Sequence, residues 1–126
     1  MDTDSLHIRI GHSPDPDDAF MFYALTTGAL ETPGREYEHV LLDIQTLNEK
    51  ALQQEYEISA VSIHSFPKII ENYALMTCGA SMGEGYGPML IANQEFSQDE
   101  AKSKTIAIPG LDTSACLLYT SDAADD

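Results

Sequence analysis

Leu6-His-Ile-Arg-Ile-Gly-His-Ser-Pro-Asp-Pro-Asp-Asp-Ala-Phe-Met-Phe-Tyr-Ala-Leu25 is the stretch on which the fold turns. Residues 6–10 alternate apolar and polar, the period of a strand. Residues 11–16 then interrupt any regular element, because two prolines two residues apart fit neither a helix interior nor a central strand. Asp17 or Asp18 is placed to cap the run 19–25, which is apolar almost all round and predicts a largely buried helix. Gly28 stands where that helix should end. A strand, a sharp turn and a buried helix in this order form the first unit of an α/β layer.

Outward from this unit the alternation continues. Strands are expected at residues 37–44, 58–63, 74–78, 88–92 and 105–108. Helices are expected at 46–54, with Leu47, Ala51 and Leu52 inward, from Pro67 to about residue 72, and at 98–102. Strands alternating with helices predict an α/β architecture with a largely parallel sheet. Ligands of such sheets gather where strand ends run into helix starts. Three segments qualify: Ser13 to Asp18, Ser62 to Ser65, and Pro109 to Ser114.

The charge narrows the partners. Twenty-one acids against six bases give a net charge of −15 over 126 residues, a field that repels nucleic-acid phosphates and anionic membranes. Neither is an expected partner, and an anionic ligand needs local donors to hold it. No stretch reaches the length of a membrane span. The opening Met1-Asp-Thr-Asp-Ser5 has neither the basic nor the apolar region of a secretory signal, so a cytoplasmic protein is expected. Cys78 and Cys116 lack CxxC spacing, in keeping with a reducing compartment. The sequence sets no oligomeric state.

The motifs carry two readings each. Ser13-Pro-Asp-Pro-Asp-Asp18 lacks the third acidic position and the glycine of a calcium loop, and no metal site is expected there. It is a rigid capped turn, or one in which Ser13, Asp17 and Asp18 also line a pocket. Gly83-Glu-Gly-Tyr-Gly-Pro88 precedes a strand rather than opening a helix, the reverse of a dinucleotide fingerprint, and reads as a connection. Thr113 and Ser114 stand at a helix start, where hydroxyls either cap the helix or cradle a carboxylate with its free N–H groups. Ser62, at a strand's end, suits a ligand or its own backbone equally. His7, His12, His39 and His64 show no metal-ligand spacing; His64, two residues past Ser62, is the one nearest a candidate loop. No catalytic triad is readable.

Together the segments carry a resemblance. Residues 8–25 are similar to the opening of the 1,4-dihydroxy-6-naphthoate synthase family, whose hallmark resembles SPCPNDTFIF, with Asp15 and Asp17 here at the usual Cys and Asn. Asp43-Ile-Gln-Thr-Leu-Asn48, Gly83–Pro88 and Ile108-Pro-Gly-Leu-Asp-Thr-Ser114 follow in order, so the resemblance runs from about Leu6 to Ala115. It implies a fold like type II periplasmic binding proteins, with residues 6–115 as a partial N-terminal lobe of two. It implies a carbon–carbon lyase of the futalosine route to menaquinone, converting cyclic dehypoxanthinyl futalosine to 1,4-dihydroxy-6-naphthoate with no organic cofactor. The substrate is a small-molecule carboxylate. Its binding stretches fall on Ala60-Val-Ser62 and on Thr113 and Ser114, with Ala60 where some members carry a basic residue. The family's base histidine falls beyond Ala115, so no catalytic residue is assigned and this chain is expected to be inactive. A solute-binding protein of the same fold, the sister enzyme chorismate dehydratase, and a small independent binding module are the competing readings.

Cys116-Leu-Leu-Tyr-Thr-Ser-Asp-Ala-Ala-Asp125 resembles something else, the translation of a transposon end and adapter used in sequencing libraries. Residues 116–126 are accordingly expected to be a non-native tail, contributing Asp122, Asp125 and Asp126 to the acid count.

Overall fold

The computed structural model describes residues 5–122. Its elements are β1 (Leu6–His12), α1 (Pro16–Thr26), β2 (Arg35–Leu41), α2 (Ile44–Leu52), β3 (Ile58–Ser59), a 3₁₀ turn (Phe66–Lys68), α3 (Gln98–Ala101) and α4 (Ser114–Asp122). The fold is α/β, with a three-stranded sheet in the order β2-β1-β3. Both pairings are parallel, Leu6 opposite Arg35 through His12 opposite Leu41, and Ile10 opposite Ile58. Parallel neighbours need crossovers, and α1 and α2 supply them.

The alternation of β1 places the helices on opposite faces. A Cβ on Gly11 would meet Leu47 of α2 and Tyr56 at 2.8 Å. One residue on, the His12 ring stacks on Phe22 of α1 at 4.4 Å. Successive strand residues face opposite ways, so β1 is covered on both sides and holds the core: Ile10, Leu47, Ala51, Tyr56 and Ile69 are buried around it.

Several elements differ from expectation for identifiable reasons. Helix α1 is capped at Asp15, not Asp17 or Asp18, because Pro16 takes the first helical position that proline favours. It has no buried residue, and Phe20 is 86% exposed: an all-round apolar helix needs cover on two sides, and the sheet supplies one. β2 begins and ends earlier than residues 37–44 because Asp43 turns the chain into α2, its carboxylate accepting from the Thr46 N–H at 3.0 Å. Leu52, five residues past the buried Leu47 and so about 140° round the helix, faces outward and is 46% exposed. β3 shrinks to two residues, and Pro67 opens no longer helix. Residues 74–78, 88–92 and 105–108 are not strands; no described neighbour pairs with them, and an apolar run alone makes no ladder.

Candidate functional site

Two of the three loops proposed from sequence meet around one side chain. Asn48 follows Leu47 on the inner face of α2 and is 1% exposed. Its Oδ1 accepts the Ser62 N–H at 2.8 Å, which fixes the other amide atom as nitrogen. That Nδ2 donates to the Ser62 Oγ and to the Asp112 carbonyl, both at 3.1 Å. The loop after β3 is thereby tied to the loop before α4. Further bonds close the junction: Ser65 Oγ donates to the Asp112 carbonyl at 2.7 Å, and the His64 N–H donates to Ser114 Oγ at 3.2 Å. The Asp112 N–H donates to Gln45 Oε1 at 3.0 Å. Lys68 pairs with the Asp112 carboxylate and, with Gln45, holds it below the usual aspartate range.

Thr113 is buried and fully engaged. Its hydroxyl donates to the Gly110 carbonyl at 2.7 Å and accepts the Cys116 N–H at 3.3 Å, the bond of a helix N-cap. Ala60 and Val61 are half-buried, and the Ala60 N–H extends the β1–β3 ladder to the Gly11 carbonyl at 2.8 Å.

The first loop, after β1, closes on itself. The Ser13 N–H donates to Asp18 Oδ2 at 2.7 Å, and Ser13 Oγ donates to Asp15 Oδ2 at 2.8 Å. Asp17 is exposed, and a hydrogen bond from the Ser81 hydroxyl lowers its carboxyl pKa. His12 Nδ1 lies 3.0 Å from the Ser13 carbonyl, which only accepts, so that nitrogen carries the proton. In the neutral pair its Nε2 therefore accepts from His39 Nδ1 at 3.0 Å. Burial, and then the neighbouring His12, lower the His39 pKa.

This geometry belongs to a chain whose relatives are known. A family model described as menaquinone biosynthesis matches residues 8–120. The chain belongs to that menaquinone-biosynthesis family. Among curated proteins it is similar to a 1,4-dihydroxy-6-naphthoate synthase of Thermus thermophilus, 34% identical over 90% of this chain and 40% of the relative. A Streptomyces coelicolor protein of the same name is 32% identical over 94% of this chain and 41% of its own. Among solved structures, a crystal structure of an Archaeoglobus fulgidus protein is 49% identical, with a TM-score of 0.66 over 72% of this chain and 34% of that one. The chain thus spans about two-fifths of the length of the curated relatives.

Within this menaquinone-biosynthesis chain, Ser62, Thr113 and Ser114 are brought together, whereas Ser13, Asp17 and Asp18 form a separate turn. Asn48, Gln45 and Asp112 were not singled out individually from sequence, although the motifs 43–48 and 108–114 contain them. A polar residue beside Leu47 on the buried helix face was the signal for Asn48. A cavity of about 530 Å³ is lined by Met89, Phe96, Ile106, Ile108, Leu118 and other residues; it touches the candidate loop before α4 at Pro109, but none of Ala60, Val61, Ser62, Thr113 and Ser114 lines it. Among the described residues no group of three or more His, Cys, Asp or Glu could hold a metal ion, and no helix is long and apolar enough to cross a membrane.

Proposed function

We propose that this chain carries the N-terminal part of a cytoplasmic 1,4-dihydroxy-6-naphthoate synthase, a two-lobed lyase of type II periplasmic-binding-protein fold acting on cyclic dehypoxanthinyl futalosine. The observation that carries the reading is the junction of the Ala60-Val61-Ser62 stretch with Thr113 and Ser114, the positions that the family resemblance gives to substrate. Hydroxyls beside the start of α4, with the Ser114 and Ala115 N–H groups that have no partner among the described residues, suit a carboxylate. They supply locally the donors that a −15 chain otherwise lacks. Ser13, bonded to Asp15 and Asp18, stiffens the entry to α1 at the neighbouring strand end, with Asp17 exposed beside it. In this reading the base and the closing lobe lie beyond Ala115, residues 116–126 are not native, and the 126-residue chain alone turns over nothing.

The test begins at the gene. Resequencing the source locus across the codons for Ala115 and Cys116 should reveal a frame that continues into a second lobe with a histidine motif. The protein from that frame should release 1,4-dihydroxy-6-naphthoate from cyclic dehypoxanthinyl futalosine. Binding of a carboxylate without turnover would replace the lyase with a solute-binding protein. Conversion of chorismate instead would assign the sister dehydratase.

A further inference from the structure

A polar cluster of a different kind lies on the face of β1 that α1 covers. His12 ends β1, and its ring stacks on Phe22 of α1 at 4.4 Å. Its two nitrogens serve two elements: Nδ1–H donates to the Ser13 carbonyl, and Nε2 accepts from His39 Nδ1 of β2, each at 3.0 Å. The fourth nitrogen of the pair, His39 Nε2, is buried and has no hydrogen-bond partner among the described residues. It is the one free lone pair, so the next proton must go there. The cation so formed would find no counter-charge. From β1 it faces His12, the one ionisable group that acts on it, and from α1 the uncharged Phe22, 5.8 Å between ring centres. Asp17 and Asp18 at the start of α1 are taken up by the Ser81 hydroxyl and the Ser13 N–H. On β2 itself, Tyr37 adds a phenol to the same face, while Glu38 lies on the other face and holds His7 at 2.9 Å.

A buried imidazolium without an acceptor is costly. The cost is relieved when the His39 ring turns out to water, and that movement breaks its bond to His12. His12 then loses the contact that aims its Nδ1–H at the Ser13 carbonyl. Ser13 is the centre of the turn into α1, tied to Asp18 through its N–H and to Asp15 through its Oγ. We propose that His12 and His39 form a proton-operated latch on the turn Ser13–Asp18, closed while both rings are neutral and released when His39 takes a proton. The adjacent Gly11 carbonyl receives the Ala60 N–H, so the latched turn stands beside the Ala60–Ser62 stretch. Burial keeps the His39 pKa below its ordinary 6.5, which leaves the latch closed near neutral pH and opens it in acid. The latch needs only the geometry of β1, β2 and α1, and it stands whether the protein is a lyase or a solute-binding protein.

The experiment is NMR of the full-length protein between about pH 8 and pH 5. At the upper end the ring-nitrogen shifts should show both histidines neutral with the proton on Nδ1. As pH falls, the protection factors of the Ser13 and Ala19 amides should drop about tenfold, the order of one lost hydrogen bond, while amides within α2 keep theirs. His39→Asn places an amide nitrogen where Nδ1 stood and cannot titrate, so its turn should stay protected across the range. A loss of protection shared by wild type and His39→Asn would come from Asp15 and Asp18 and would overturn the latch. His12→Phe keeps a ring on Phe22 and removes both bonds; it should show the released turn at every pH, and a turn as protected as in the wild type would overturn the latch. If either variant fails to fold, the wild-type titration decides by itself. His39 protonating in step with the loss of amide protection supports the latch. An Nε2–H tautomer at either ring, or amides indifferent to the charge on His39, overturns it.

Discussion

Thr113 shows how one side chain serves two ends of a loop. Its Oγ donates back to Gly110 and accepts from Cys116, so it closes the turn before α4 and caps the helix. Thr113→Val keeps the shape and removes both bonds. Loss of such a cap should cost about 1 kcal/mol, read as a lower urea midpoint with unchanged slope. Glu57 offers a second check. Arg9 grips its carboxylate through Nε at 3.0 Å and Nη2 at 2.7 Å, and the Arg9 N–H adds a bond at 2.8 Å. These hold its pKa at about 2, against 4.5 ordinarily. Because the folded value is the lower one, the stability it contributes is present above pH 4.5 and lost as pH falls toward 2. Glu57→Gln should flatten that acid limb, and salt should shrink the difference because the pair is partly exposed. The start of α4 at Thr113 and Ser114 was readable from local residue types, although the strand expected before it at residues 105–108 is not one. Asn48 was not, because its partners are 14 and 64 residues away, and only packing brings them to it.

Among the elements, β1 was the most legible and β3 the least. The alternation of residues 6–10 and the prolines that stop it are local features, and they placed the central strand, which runs two residues further than expected, through Gly11 to His12. Residues 58–63 have the same composition as a strand, yet only two pair, because pairing depends on what the neighbouring backbone offers. The packing of β1 against α2 depends on Gly11, where any side chain would meet Leu47 and Tyr56. Gly11→Ala should therefore destabilise the fold by about 1–3 kcal/mol, the usual cost of overpacking, and a thermal melt would show it. On the other face, the pair of His12 with His39 ties β1 to β2 beneath Phe22 of α1. The His39 pKa is depressed below 6.5 by burial, so protonation favours the unfolded chain. Stability should be complete above about pH 6.5 and fall as pH drops through the lower folded value. His39→Asn should remove the early part of that decline; an unchanged profile would mean that the burial of His39 is not coupled to its protonation.

For the whole molecule, the core and the surface are out of proportion. Burial is concentrated between β1, α2 and the junction at Asn48, while Phe20, Met82, Met89 and Ile91 are each at least 80% exposed. Residues 74–97 form no helix or strand. Apolar surface on this scale is unusual for a monomer that stands alone. Helix α1 looked buried from its composition because composition reports what a helix needs covered, not which part of a protein covers it. Relatives more than twice as long have the chain to supply that cover. The 126-residue chain by itself should therefore bind a hydrophobic dye, and a protease should cut it first within residues 74–97. Amides of β1 and α2 should exchange last, because local stability follows buried contacts. In the full-length protein the dye signal should vanish and the cuts should slow together. A monomeric 126-residue chain that melts in one sharp step without binding dye would show that it covers its own apolar faces. In that case the small independent binding module would displace the truncated lobe as the better account of this sequence.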